Sequence, residues 1–266
     1  MEIKGIIHCH STYSYDAKLS VRELRDLCIK NDVRFVCMTE HTDELTKERA
    51  EAFVRECEEL SDEQFRFIPG FEVPYRSAHV LMIGMREFFD TYAPTLDVLK
   101  RWSERAAFVV LAHPVRNHFD VEGGLLEQID ALEVWNQQYE GKRVPRVRSL
   151  KLFRELKKQK PTLVATGGVD FHRTEHFSAP LVHMDVTTLT EMAIIEKLKG
   201  GAFTVVSAQA YFYGTLPNPD EVIAKHRIES HVSVVIIVLG KFVNKMLATC
   251  GLSLPKSLKQ RIRRSL

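Results

Sequence analysis

Short apolar segments alternate with longer charged segments over the first 210 residues, and this alternation constrains the fold more than any other feature. Nine short segments are rich in β-branched and aromatic residues and predict strands: 5–8, 35–39, 65–72, 80–84, 108–112, 131–135, 163–167, 182–186 and 203–207. Between many of them, apolar residues recur at helical spacing, at 21–30, 46–60, 144–160 and 189–199, and Ser20 with Glu23 forms a capping-box pattern before the first. The pattern predicts an α/β fold with a mostly parallel sheet, and the number of units favours a barrel.

Positive charge is concentrated towards residue 266. The net charge of all 266 residues is +2, but the sequence after Glu229 holds seven basic residues and no Asp or Glu. Residues 1–229 therefore contain 30 basic and 35 acidic residues, a net charge of −5. A turn at Pro217-Asn218-Pro219 precedes this change. We predict a barrel domain over 1–216 and a basic, partly apolar extension over 217–266.

The extension combines its positive charge with an apolar helical stripe. Val235, Leu239, Phe242, Met246 and Leu247 fall on one side of a helix, and two lysines lie off it. Three interpretations are open: the stripe packs on the body, it contacts a partner or a second copy, or it lies on an anionic membrane surface. The excess of basic residues favours an acidic partner or surface.

Cysteine usage and hydropathy bear on the cellular compartment. The five cysteines are odd in number and include no CxxC pair, which argues against a disulfide framework and favours a reducing compartment. Charged residues come too early for a signal peptide, and the most apolar run, 232–239, is shorter than the ~20 residues of a membrane span. We expect a cytoplasmic protein without a transmembrane segment, peripheral at the membrane if the extension binds one.

Histidines and carboxylates cluster near the ends of the predicted strands. Such residues follow the apolar runs at His8, Glu72, His113 and Asp170, whereas His79 begins a run. The carboxyl ends of barrel strands form the face that carries active sites. The full candidate set is His8, His10, Asp16, His41, Glu72, His79, His113, Asp170 and His172.

The spacing and chemistry of this set indicate metal binding. His8 and His10 are two residues apart, so on a strand their side chains point to one face, while Cys9 points to the other. Imidazole and carboxylate ligands suit zinc, manganese or iron. Because each ion takes about three or four protein ligands, nine ligands indicate two or three ions.

The same residues lie in motifs that resemble those of the polymerase and histidinol phosphatase (PHP) family. HCHSTYSYD at 8–16 is similar to HxHSxxSxD, and TEHTD at 39–43 is similar to TDHDT, with Glu40 where Asp is commoner. GFE at 70–72, HVL at 79–81, AHP at 112–114 and VDFH at 169–172 match the remaining motifs in order. The resemblance covers roughly residues 3–210 and implies a distorted (β/α)7, TIM-like barrel.

The resemblance also implies how the ligands divide among three metal positions. One position would use His8, His10, Glu72 and Asp170; Glu72 would bridge to a second with His79 and His113; Asp16, His41 and His172 would hold a third.

A centre of this kind has a defined chemistry. Clustered divalent ions lower the pKa of bound water toward ~7 and neutralise phosphoryl oxygens, so that a metal-bound hydroxide attacks a phosphate ester. Glu72 and Asp170 are the central carboxylates of this prediction. Arg116 and Arg173 either clamp phosphate or are solvated loop charges, and His118 either protonates a leaving group or is a surface histidine.

We therefore predict a metal-dependent phosphoesterase that acts on a small phosphomonoester, a nucleotide or a short oligonucleotide. One alternative is a 5′-directed nuclease, which needs stacking aromatics and a basic track, and the net negative body disfavours it. The other is a metal-stabilised binding protein without catalysis, which the complete ligand set disfavours.

Overall fold

Twelve strands and eight α-helices make up the part of the chain described by the computed structural model, residues 1–88 and 94–249. The strands are β1 (Glu2–Cys9), β2 (Phe35–Met38), β3 (Glu40–His41), β4 (Arg66–Ile68), β5 (Gly70–Tyr75), β6 (Ala78–Ile83), β7 (Phe108–Ala112), β8 (Ala131–Asn136), β9 (Val164–Gly168), β10 (Leu181–Asp185), β11 (Thr204–Val206) and β12 (Tyr211–Tyr213). The helices are α1 (Val21–Lys30), α2 (Lys47–Glu59), α3 (Leu96–Ser103), α4 (Leu125–Gln128), α5 (Gln137–Glu140), α6 (Val147–Gln159), α7 (Glu191–Lys199) and α8 (Pro219–Thr249).

The strands form two six-stranded sheets, in the orders β12-β11-β10-β1-β2-β4 and β3-β5-β6-β7-β8-β9. The chain passes from the first sheet to the second at Thr39, between β2 and β3, and again at Pro69, between β4 and β5. Proline has no N–H to donate to a ladder, which is consistent with a break there. The segment 65–72, predicted as one strand, is therefore two.

The mixed α/β fold is confirmed, but the predicted distorted (β/α)7 TIM-like barrel is not: the described residues form two sheets and no closed barrel. Of their ten strand pairs, five are parallel and five antiparallel. Strands β5 and β6 form a hairpin in which Tyr75 pairs with Ala78, and β10 runs antiparallel to β1. These reversals replace the parallel strand–helix repeat of a regular barrel. Between β1 and the residues after β9, the described residues form an isolated bridge from Cys9 to Phe171 and a few irregular backbone hydrogen bonds, such as that from the Val169 N–H to the Ile7 carbonyl.

Helix α1 begins where its capping signal predicts. The Ser20 side chain accepts a hydrogen bond from the Glu23 N–H, and the Glu23 carboxylate accepts one from the Ser20 N–H. Val21, Leu24 and Cys28 turn one face of the helix into the core. The segments predicted at 46–60, 144–160 and 189–199 are α2, α6 and α7.

The four described cysteines are free thiols within the hydrophobic core. Cys9, Cys28, Cys37 and Cys57 are each 0% exposed, and burial raises the pKa of each thiol above its usual value. Cys250 lies outside the described residues.

Helix α8 occupies the start of the predicted extension. It begins at Pro219, a residue favoured in the first turn of a helix. Val235, Leu239, Phe242 and Met246 are 54–59% exposed, so this part of the stripe does not pack on the body. The basic residues after 249 lie outside the described part of the chain, and the domain boundary at 216 stays a prediction. Within residues 1–88 and 94–249, no helix is sufficiently long and apolar to cross a membrane.

Candidate metal centre

Glu72, on β5, lies at the centre of a cluster of buried histidines. It is 1% exposed, and its Oε2 atom lies 3.2 Å from His8 Nε2, 3.3 Å from His10 Nε2 and 3.2 Å from His41 Nδ1. Three imidazole nitrogens thus face one oxygen of this carboxylate.

The other oxygen of Glu72 faces two further histidines. Oε1 lies 3.0 Å from His113 Nε2 and contacts His79 Nδ1. The β5–β6 hairpin sets the second contact because it pairs Pro74 with His79, so that the ring lies beside the neighbouring strand. A carboxylate with nitrogen ligands on both oxygens has the arrangement of a bridging ligand.

Asp170 is a second buried carboxylate, beside His8 and His10. Its Oδ1 atom lies 3.5 Å from His8 Nε2, 3.6 Å from His10 Nε2 and 3.4 Å from His172 Nδ1. Asp170 is 6% exposed and follows the end of β9.

Asp16 occupies the more open side of the cluster. Its Oδ1 atom lies 3.6 Å from His41 Nε2, and its Oδ2 atom lies 3.2 Å from His172 Nε2. The side chain of Asp16 is 37% exposed, so this edge is accessible to solvent. All nine side chains of the predicted set therefore lie in one connected cluster.

The spacing of these atoms fits metal ions held between them. Nitrogen and oxygen ligands bonded at about 2.1 Å to one ion lie about 3.0–3.4 Å apart in octahedral or tetrahedral geometry. The nitrogen–oxygen separations given above run from 3.0 to 3.6 Å. His10 Nε2 and Asp16 Oδ1 are buried without a hydrogen-bond partner, which would leave polar atoms uncompensated unless an ion binds them.

The described residues contain four groups of three side chains that could hold a metal ion. Within each group, the ligand atoms lie within 4.8 Å of one another. One, Glu72 with His79 and His113, is a metal position implied by the sequence resemblance. The others are His8-His10-Glu72, His8-His113-Asp170 and His10-His41-His172, so His10 stands between two of the implied positions.

The protonation preferences of the cluster favour a bound cation. Burial alone would raise the pKa of Glu72, but the surrounding histidines, His8 first, hold it well below its usual value. Burial would lower the pKa of His8, but the carboxylates of Asp170, Glu133 and Glu72 raise it well above its usual value. The cluster thus attracts positive charge, and metal binding to such ligands displaces protons.

Three residues of the cluster have left-handed backbone conformations. The φ angles are 66° at His8, 24° at His113 and 53° at Asp170. Non-glycine residues are uncommon in this region, and they concentrate at functional sites. At His8 the pairing of β1 with β2 shifts register between Ile7 and Cys9, so the regular strand assumed for this pair of histidines is interrupted there.

Glu133, on β8, is a functional candidate that the sequence analysis missed. It is 1% exposed, and its Oε1 atom lies 3.0 Å from His8 Nδ1. Its Oε2 atom accepts hydrogen bonds from the His113 N–H at 2.6 Å and from Asn136 Nδ2 at 2.9 Å. The available signal was an acidic residue within the apolar strand Ala131–Asn136.

Glu40 organises the loop after β1. It accepts hydrogen bonds from the Ser11 N–H at 2.9 Å, from Ser11 Oγ at 2.6 Å and from Ser14 Oγ. Ser14 Oγ in turn accepts from the His41 N–H at 3.0 Å. Burial raises the pKa of Glu40 to about 7. Glu40, which stands where the motif more often has Asp, thus holds the loop through hydrogen bonds to Ser11 and Ser14. It is not one of the nine candidate ligands.

The predicted phosphate contacts, Arg116 and Arg173, and the predicted proton donor, His118, differ in how they lie relative to the cluster. Arg116 is exposed on the loop after β7, and its Nη1 atom lies 3.3 Å from His79 Nδ1. Arg173 is exposed beside His172. His118 is exposed, with a φ of 58°, and the groups of clustered ligand atoms in the described residues do not include it.

Two tyrosines, which were not predicted, line the cluster. The Tyr15 ring stacks on His41 with centroids 5.3 Å apart, and the Tyr139 ring lies 5.0 Å from that of His113. Tyr15 is 59% exposed, so its ring is available to a ligand that enters the site.

A family model covers the part of the chain that supplies most of these residues. The model of the PHP domain matches residues 7–113. Residues 7–113 are therefore similar to a PHP domain. The matched range contains seven of the nine clustered residues, and Asp170 and His172 lie beyond it.

Individual proteins are similar to this chain over limited lengths. The DNA polymerase/3′-5′ exonuclease PolX of Bacillus subtilis is 30% identical over 106 residues, which cover 37% of this chain and 18% of that protein. This chain therefore spans less than a fifth of that relative.

Two solved structures share the fold. A two-domain protein of Bacteroides vulgatus containing a predicted PHP-like metal-dependent phosphoesterase has a TM-score of 0.57 and 14% identity, covering 78% of this chain and 65% of that one. Endonuclease Q, in complex with a 27-mer duplex substrate with an abasic lesion, has a TM-score of 0.53 and 14% identity, covering 75% and 57%. At this identity the similarity concerns the fold alone.

Proposed function

We propose that this chain is a metal-dependent phosphoesterase whose substrate is a small phosphomonoester, a nucleotide or a short oligonucleotide. The observation that carries the proposal is the position of Glu72, with nitrogens of His8, His10 and His41 at one oxygen and those of His79 and His113 at the other. Two or three zinc, manganese or iron ions held by the nine ligands would supply a water of lowered pKa and neutralise phosphoryl charge.

The residues around the cluster support a role in binding a phosphate ester. Arg116 is exposed at the cluster, where a guanidinium can donate two parallel hydrogen bonds to phosphoryl oxygens. We assign Arg173 the same type of contact from the loop after β9, and His118 the proton donor to the leaving group. The Tyr15 ring offers an apolar face to the alcohol half of the ester.

A screen of metal-reconstituted protein tests the proposal. Chelator-treated full-length chain is loaded with zinc, manganese or iron separately and incubated with sugar phosphates, nucleoside monophosphates and 5′-labelled oligonucleotides. We expect phosphate release or mononucleotide release with at least one metal, and none after chelation.

Other outcomes separate the alternatives. Stepwise shortening of long oligonucleotides from the 5′ end, without turnover of small esters, would identify a 5′-directed nuclease. Stoichiometric metal binding without turnover of any substrate would identify a binding protein and overturn the proposal.

A further inference from the structure

Among the described side chains, the polar contacts of helix α8 with the body lie along its first part. Arg154 Nη1 lies 2.5 Å from Asp220 Oδ1, and Arg143 Nη2 lies 2.7 Å from Glu229 Oε1. The Val147 N–H donates to Ser230 Oγ at 3.1 Å. Since α6 runs from Val147 to Gln159, α8 lies along α6 from Asp220, which contacts Arg154, to Ser230, which contacts the first residue of α6.

Residues 231–249 continue the helix beyond that contact. At 1.5 Å per residue this part is about 28 Å long. Large apolar side chains recur on it at spacings of three and four and are 52–59% exposed: Val232, Val235, Leu239, Phe242 and Met246. Exposed Ile236, Val238 and Val243 widen the stripe to about 160° of the helix surface at 100° per residue. A single-domain surface rarely leaves such a stripe uncovered.

The charge of the sequence around this stripe has one sign. After Glu229 there is no acidic residue, and the basic residues are Lys241, Lys245, Lys256, Lys259, Arg261, Arg263 and Arg264. Glu229 itself is paired with Arg143. The uncovered apolar surface and an unbalanced charge of +7 therefore occur on the same segment.

We propose that α8, from His231 onward, binds the surface of an anionic lipid bilayer, with the helix in the plane of the interface. The apolar stripe enters the boundary between headgroups and acyl chains, and the positive charge of the sequence after Glu229 attracts anionic lipid. This orientation does not require α8 to span the bilayer, in agreement with the hydropathy of the described helices.

A second copy of the chain fits the stripe less well. Val232, Val235, Leu239 and Phe242 have the spacing of a coiled-coil seam, but such seams are flanked by residues of complementary charge. Lys245 flanks this stripe, and the nearest acid, Glu229, is already paired. Two copies would bring like charges together, whereas anionic lipid supplies the opposite charge.

Vesicle co-sedimentation of the full chain tests the proposal. The probes are phosphatidylcholine vesicles with and without about 30% phosphatidylglycerol, at about 50 mM and about 500 mM salt. We expect partitioning to anionic vesicles to exceed that to neutral vesicles by at least ~10-fold, and to fall severalfold at high salt. Replacing Lys256, Lys259, Arg261, Arg263 and Arg264 by Gln should remove most of this difference.

A pair of matched variants tests the stripe. Leu239→Gln with Phe242→Gln changes two exposed residues and should lower vesicle binding at least ~10-fold, with metal content unchanged. Met192→Gln, at an 80% exposed residue of α7, should bind like the unmodified chain. Equal binding to neutral and anionic vesicles would overturn the proposal. The proposal would also be overturned if the unmodified chain did not bind vesicles and formed a stable dimer, while the Leu239→Gln/Phe242→Gln variant was monomeric.

Discussion

Glu133 holds the ring of His8 from the side opposite the cluster: Glu133 Oε1 lies 3.0 Å from His8 Nδ1, while His8 Nε2 lies 3.2 Å from Glu72 Oε2. With the ring proton on Nδ1, the Glu133 carboxylate accepts a hydrogen bond from the Nδ1–H group, and Nε2 is left free to bind an ion. Carboxylates behind ligating histidines fix the tautomer and strengthen the ligand.

The exchange Glu133→Gln should therefore weaken metal binding. Asn136 and the His113 N–H both donate to the Oε2 position, so the glutamine oxygen would remain there. Its NH2 group would then face His8 Nδ1 and shift the ring proton to Nε2. We expect about a 10–100-fold loss of metal affinity, measured by competition with a chelating dye.

Glu140→Gln is the control for that experiment. Glu140 is also buried, at 2% exposed, but its carboxylate bonds to Ser149 Oγ and the Asn136 N–H. Metal affinity should stay at the level of the unmodified chain. An unchanged affinity in Glu133→Gln would mean that His8 does not depend on Glu133.

Replacing Glu72 tests the bridging arrangement. Glu72→Gln keeps the size of the side chain but exchanges one oxygen for an NH2 group that cannot bind an ion. We expect loss of at least one ion by elemental analysis and a drop of at least ~10²-fold in phosphate release. His183→Ala, on β10, should retain both properties. His176 is a poorer control because its Nδ1 atom accepts the His172 N–H at 3.3 Å. Full metal content in Glu72→Gln would argue against a bridge.

Arg116 should affect the substrate without affecting the metal. Removal of a guanidinium that contacts phosphoryl oxygens costs binding of the ester and its transition state, so Arg116→Ala should lower kcat/KM about 10²-fold. Steady-state kinetics on the best phosphomonoester provide the measurement, with Arg101→Ala, exposed on α3, as control. An equal effect of both variants would show that general surface charge, and not this contact, is responsible.

The buried Glu140 predicts how stability varies with pH. Burial raises its pKa from 4.5 to about 8, so between these values the folded chain holds a proton that the unfolded chain has released. The free energy of unfolding should therefore fall as pH rises through this window. Glu140→Gln removes the titrating group and should raise Tm more at pH ~8 than at pH ~5.

Thermal unfolding at constant metal loading measures this effect. Glu127→Gln, at an exposed residue of α4, serves as the control and should leave the pH profile unchanged. A Tm difference for Glu140→Gln that does not vary with pH would show that the carboxyl group titrates normally in the folded chain.

Local signals predicted the parts of this fold that depend on neighbouring residues. The capping pattern of Ser20 and Glu23 gave the start of α1, and the apolar runs gave most strands. The ligand residues could also be identified because polar side chains at the ends of apolar strands meet at one edge of a sheet. That reasoning holds for His113, which follows β7, and for Asp170, which follows β9.

Features that depend on distant pairing were not predictable from the same patterns. The division into two sheets follows from which strands pair, and the antiparallel contact of β1 with β10 joins residues such as Ile3 and Met184. Glu133 is 125 residues from His8, and its role depends on how β8 lies relative to β1. The hairpin of β5 and β6 brings His79 beside Glu72, whereas the sequence showed only that His79 begins an apolar run.

The candidate ligands come from both sheets, since His8 belongs to β1 while Glu72 and His79 belong to the other sheet. The sheets meet there through irregular contacts, in which the Val169 and Phe171 N–H groups donate to the carbonyls of Ile7 and His8. Ions bound between them would act as cross-links across this seam. A chelator would then do more than stop turnover: it would loosen the junction itself, so the amides of the seam should exchange their hydrogens faster in the stripped protein.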